Sequence, residues 1–177
     1  IGVLIAQRCF DQQNSFYWQL YQKAATRAVT RECFTMLEII EQKNEKELVK
    51  PRLLAEDKVD GIIIIGLLQE DYLCMIEKNI KVPFVCLDFY DKKIECDAVI
   101  ANNFYGMYKV TDYLIGMGHT RIGYVGTLLS TCSITDRYFG FCKALLEHGL
   151  EVRDEWIIDD RDRDSGKRDD EFCFRLP

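Results

Sequence analysis

With 177 residues, 48% of them apolar and ten Phe, nine Tyr and two Trp among them, the chain can fill one large or two small domains and build a packed core, which excludes a disordered segment. Its formal net charge of −6 offers no basic face of the kind a direct nucleic-acid binder presents. No run approaches the ~20 apolar residues of a membrane helix, and the start lacks the basic-then-apolar pattern of a signal peptide.

In chain order, short apolar runs alternate with amphipathic stretches. Ile1–Ala6 predicts a strand, followed by a polar loop, Gln7–Asn14, and a helix over Ser15–Glu32 with Ser15 as its cap. Phe34–Ile40 predicts the next strand. A helix is expected over Asn44–Glu56, although Pro51 falls inside it; either it runs on, or Asn44–Lys50 forms a separate turn and a second helical segment starts at the proline. Gly61–Ile65 and Pro83–Asp88 are strands around a helix at Glu70–Lys78. Their centres are continuously apolar instead of alternating, the mark of parallel strands covered on both faces. A polar stretch, Phe89–Cys96, precedes a strand at Ala98–Ala101. A helix over Phe104–Gly116, a strand over Arg121–Gly126, a helix over Thr135–His148 and a strand at Trp156–Asp159 complete the pattern. Thr135 and Asp136 suit the start of that last helix, and Gly149 suits its end. Strands interleaved with helices of this length mean βαβ units, hence an α/β fold of doubly wound parallel sheets. The run Asp159–Glu171 is dense in both charges and reads as a solvated loop or frayed end.

The motifs of catalysis are missing. No G-x-S-x-G, H-E-x-x-H or P-loop occurs, and Gly116, Gly118 and Gly123 end a helix where a dinucleotide fingerprint must follow a strand. No carboxylate pair has acid–base spacing. Neither a catalytic residue nor a cofactor is therefore expected. The eight cysteines form no C-x-x-C pair, and only His119 and His148 are available to complete a zinc site, so no metal is expected. The thiols read as small buried hydrophobes in a reducing, cytoplasmic setting.

Ligands of a doubly wound sheet sit beyond the carboxyl ends of its strands. There the chain offers Phe16, Tyr17 and Trp18 after the first strand, Asp88, Asn102 with Asn103, and Ser130, Thr131 and Arg137. Aromatics can stack on a sugar ring or base while Asp and Arg hold its polar edge; hydrogen bonds to charged groups contribute about 1.5–3 kcal/mol each. Each residue also has a plainer role. Phe16 and Tyr17 suit a core, Asp88 a strand-end cap, Arg137 a surface pair with Asp136 or Glu147, and His119 a turn.

Six pieces, in this order, resemble the effector-binding core of the lac repressor/galactose repressor family of bacterial transcription regulators. They are IGVLIA at the start, NSFY at 14–17, KVDGIIIIG at 58–66, VPFVCLD at 82–88, GHTRIGYVG at 118–126 and DRYFGFCKALLEHGL at 136–150. The resemblance covers roughly residues 1–166 and implies the two-lobed periplasmic-binding-protein type I fold. On that reading residues 1–101 form the first lobe, 102–166 an incomplete second lobe, and 167–177 an irregular charged tail. It further implies a small-molecule effector, most simply a sugar, held in a cleft between the lobes. Phe16, Tyr17 and Asp88 would contact it from one side, and Arg137 from the other. Asn102, Ser130 and Thr131 are looser assignments. Operator DNA would be reached only through a helix-turn-helix upstream of Ile1, in a cytoplasmic homodimer. Three departures stand out: a long Gln7–Gln13 loop, Ala101 where the family commonly has Asp, and loss of the pattern after Gly166. The alternative is an extracytoplasmic sugar-binding protein serving a transporter, which shares the fold.

Overall fold

A computed structural model describes residues 1–10, 16–55, 58–163 and 166. Ser15, the end of the Gln7–Asn14 loop and the 167–177 tail lie outside the described residues. Two compact units divide the chain, Ile1–Ile100 and Ala101–Pro177.

The first unit is a five-stranded, wholly parallel sheet in the order β2-β1-β3-β4-β5. Its strands are β1 (Gly2–Ala6), β2 (Met36–Ile40), β3 (Ile62–Ile65), β4 (Phe84–Leu87) and β5 (Asp97–Val99). Side chains alternate across a strand, and here the alternation feeds two separate cores. Leu4, Ala6, Ile62, Ile64 and Cys86 pack on one face under Leu53, Leu54, Tyr72, Leu73 and Ile76. Val3, Ile5 and Ile65 pack on the other with Tyr17, Leu20 and Tyr21. The first helical set belongs to α4 (Arg52–Ala55) and α5 (Glu70–Asn79), the second to α2 (Phe16–Val29), so the sheet is wound on both sides. That is why the middle strands are apolar throughout, as expected.

Pro51 does divide the second predicted helix. A first piece, α3 (Gln42–Lys46), ends before Leu48, whose φ of +51° is left-handed. Proline has no N–H and disfavours helix in the residue before it. The new helix, α4, is then held at its start by β2: the N–H groups of Arg52 and Leu53 donate to the two Glu38 carboxylate oxygens at 2.8 and 2.9 Å.

The second unit contains α6 (Asn103–Gly116), β6 (Tyr124–Val125), α7 (Cys132–Glu147), a 3-10 turn (Asp154–Trp156) and β7 (Ile157–Ile158). β6 and β7 pair in parallel. Tyr124, Ile134, Phe141 and Leu145 form the buried centre of this unit. α6 and α7 lie so close that a Cβ on Gly140 would fall 2.1 Å from the Phe104 carbonyl oxygen, which makes glycine obligatory there. The strand expected over Arg121–Gly126 shrinks to Tyr124–Val125 because its neighbour offers only Ile157 and Ile158 to pair with.

Candidate functional site

At the carboxyl edge of the first sheet, β1 does not run into an open loop. It passes straight into a single helical turn, α1 (Gln7–Phe10), which corrects the expectation for the start of Gln7–Asn14. Arg8 uses this turn to donate to the Glu45 carboxylate and to the Leu67 carbonyl. The Glu45 side chain is fully buried, and its second oxygen accepts the Gln69 N–H at 2.8 Å. A buried carboxylate is tolerated because a guanidinium and a backbone donor share it. The cluster ties the turns after β1 and β3 together.

Beside it, Gly66 ends β3 at φ +72°, and a Cβ there would meet Cys9 Sγ at 3.0 Å and the Tyr17 ring at 3.1 Å. Tyr17 thus closes over the strand end as part of the core. Phe16 meets it edge-on, with ring centroids 5.5 Å apart, and remains 55% exposed. Asp88 follows β4 with φ +70°, a left-handed conformation uncommon for any residue but glycine. Its N–H donates to the Val99 carbonyl at 2.9 Å. Burial pushes the Cys9 thiol up to about 11; Arg8 opposes the shift, while the carboxylates of Glu45 and Asp88 add to it. Tyr17, Cys9 and Asp88 therefore share one edge, as the strand order requires. Neither Arg8 nor Glu45 was named from sequence: Arg8 sits in a segment read as loop, and Glu45 in a polar run with no sign of burial.

In the second unit α7 starts earlier than expected. Thr131, not Thr135 or Asp136, is the cap: its side-chain oxygen accepts the Ile134 N–H at 3.2 Å. Thr135 lies inside the first turn, where its hydroxyl donates to the Thr131 carbonyl and accepts the Leu129 N–H. Arg137 consequently stands in the second turn of α7 and not at its start. Its Nε donates to Asn103 Oδ1 at 2.8 Å, so it pairs with neither Asp136 nor Glu147 through this nitrogen. Glu147 is held instead by Lys143 and Tyr108, which lower its pKa.

Asn103, nearly buried, begins α6 and also donates to the Ala101 carbonyl at 3.2 Å. Asn102 is the cap of that helix, accepting the Tyr105 N–H at 3.0 Å. Ser130 is buried, with its hydroxyl donating to the Thr127 carbonyl at 2.7 Å. Tyr124 is pushed up to about 12 by burial, and the positive charge of Arg137 is the foremost influence opposing that rise.

Part of the charged run read as a solvated loop is structured. The Thr127 hydroxyl donates to the Arg161 carbonyl at 2.8 Å and accepts the N–H groups of Asp160 and Arg161. Asp160 accepts from the Thr127 N–H and from the Arg161 guanidinium, and the Arg161 bond is the main reason its pKa is lowered. Among the described residues no group of three or more His, Cys, Asp or Glu side chains is placed to hold a metal ion. An open depression of about 510 Å³ runs along the edge strand β2, lined by Met36, Glu38, Ile39 and Arg52; none of the sequence-predicted site residues borders it.

A parallel sheet wound on both faces, followed by a second βα unit, defines an α/β domain of the doubly wound class. The profile of the family described as periplasmic binding proteins and sugar binding domain of LacI family matches residues 1–169, and the chain belongs to that family. It is 37% identical over 109 residues to the HTH-type transcriptional repressor PurR of Aliivibrio salmonicida, covering 61% of this chain and 33% of that protein. Over 138 residues it is 28% identical to the PurR repressor of Mannheimia succiniciproducens, covering 75% and 41%. A crystal structure of a LacI family transcriptional regulator from Mycobacterium smegmatis superimposes with a TM-score of 0.72 over 90% of this chain and 56% of that one, at 24% identity. The chain thus spans between a third and two fifths of the length of these curated relatives.

Proposed function

We propose that the chain is the effector-binding part of a DNA-binding transcriptional regulator, and that its effector is a small polar molecule, most simply a sugar. The single observation that carries the reading is the way Arg137 is held. Its Nε is spent on Asn103 at the start of α6. Among the described residues the two terminal nitrogens make no hydrogen bond, which leaves the fork of the guanidinium for a ligand's hydroxyl or carboxylate oxygens. Within the first unit, Asp88, set by its left-handed backbone at the end of β4, is proposed as an acidic ligand contact, and Phe16 as an exposed ring. Asn102, Ser130 and Thr131 are the looser ligand-binding assignments of the second unit, each of which also serves a cap or turn.

Binding would act by favouring one arrangement of the regulator over another. Effector and operator affinities then change by the same factor, typically worth about 1–3 kcal/mol. DNA contact would belong to a helix-turn-helix, as in the relatives named HTH-type, in a homodimeric cytoplasmic regulator. That these relatives are repressors supports the regulator over a transporter's binding protein or an enzyme. The test is a binding titration with Arg137→Ala. Losing a charged hydrogen-bonding group should weaken effector binding about 10- to 100-fold with the fold retained. An unchanged titration would remove Arg137 from the site.

A further inference from the structure

Two thiols outside the site meet in the first unit. Cys86, in the middle of β4, is fully buried; Cys96, immediately before β5, is partly exposed. Their sulfurs are 3.4 Å apart. The strand register explains the meeting: Cys86 is paired with Ala98, and Cys96 precedes Ala98 by two residues, so both point to the same face. Cys86 belongs to the core on that face, and Cys96 packs against it. A disulfide needs the sulfurs at about 2.05 Å, so they must approach by a little over 1 Å to bond.

We propose that Cys86 and Cys96 are a reversible dithiol–disulfide pair, an oxidative modification site in which Cys96 meets the oxidant and Cys86 resolves it. With hydrogen peroxide as oxidant, the Cys96 sulfur attacks one peroxide oxygen. The O–O bond breaks, hydroxide leaves and becomes water with the thiol's proton, and Cys96 becomes a sulfenic acid. The Cys86 sulfur then attacks the Cys96 sulfur. The S–O bond breaks, the hydroxyl leaves as a second water with the Cys86 proton, and the S–S bond forms. Two thiols lose two electrons, which reduce one peroxide to two waters. Burial and the hydrogen bond to Cys96 hold Cys86 as a thiol well above the ordinary range, which suits the partner that waits to resolve and not the one that attacks first. The crosslink would join both ends of the turn between β4 and β5, which carries Asp88. The pair itself does not depend on any role for Asp88.

The test is peroxide treatment of the chain, alkylation of the remaining thiols, and peptide mapping. Trypsin cuts after Lys81, Lys92, Lys93 and Lys109, so residues 82–92 and 94–109 separate unless a disulfide joins them. The expected result is that linked peptide, lighter by two hydrogens and released by dithiothreitol, with Cys33 and Cys74 still alkylated. In Cys96→Ser the link is lost and Cys86 stays alkylatable, whereas Cys33→Ser leaves the link intact. Oxidation of Cys96 to a sulfinic acid without a link, or links formed first between other cysteines, would overturn the proposal. Protection of Cys86 from oxidation in the wild-type chain while other thiols react would do so equally.

Discussion

Arg137 illustrates how one side chain divides its donors. The nitrogen nearest the chain anchors it to Asn103, so in the proposed role the planar end would be aimed without costing the whole side chain's freedom on binding. Asn103→Ala should therefore weaken effector binding through loss of aim, which a titration beside Arg137→Ala would measure; equal affinity to wild type would make the 2.8 Å bond irrelevant to binding. Gly140 is a residue-scale constraint of another kind. A methyl group added there meets backbone on α6, which cannot swing away as a flexible side chain would. Gly140→Ala should cost on the order of 1–3 kcal/mol or more in denaturant unfolding, by the usual penalty of overpacking. Asp160 adds a pH dependence. Its folded pKa lies below the ordinary 3.8, so its contribution is present above that value and lost as pH falls through the lower folded value. Solvent screening limits the effect to under about 1 kcal/mol. Asp160→Asn should flatten the acid limb of a stability–pH curve slightly.

Among the elements, the start of α7 matters most. Thr131 supplies the cap, and Thr131→Ala should cost about 1 kcal/mol of stability. A stability assay and a titration on the same variant separate cap from ligand contact. Sequence suggested Thr135 for the start because Asp136 follows it; both threonines suit a cap, and only the turn built by Ser130 and Thr127 decides between them. The strands were far more legible. Ile62–Ile65 and Phe84–Leu87 are apolar at every position, and only a parallel strand between two helical layers uses all of them. Pro51 likewise announced its own break. What local pattern did not carry was pairing at the ends: β5 spans Asp97–Val99 and not Ala98–Ala101, because its register is set by Val85–Leu87 on the neighbouring strand. The α1 turn and the Arg8–Glu45 cluster were hidden for the same reason, since a residue remote in sequence completes them.

For the molecule as a whole, family membership was readable from six ordered segments, and the match across residues 1–169 bears it out. The assignment of individual ligand contacts depends on side-chain partners that no single sequence displays. Thr131 and Asn102 look like binding residues by position, yet their oxygens are engaged in helix caps. Arg137 and Asp88 carry the proposal because their constraints, an anchored guanidinium and a left-handed backbone, exceed what a cap needs. The most direct measurement is thermal unfolding of the chain against a panel of sugars, nucleosides and purine bases. A ligand at 100 times its dissociation constant stabilises by about 2.7 kcal/mol, a rise of about 5–10 °C for a chain of this size. The account predicts such a rise for at least one compound, cut to about half or less in Arg137→Ala and in Asp88→Asn, which keeps a side chain suited to the same backbone. A rise that persists undiminished in both variants, or none with any compound, would contradict it.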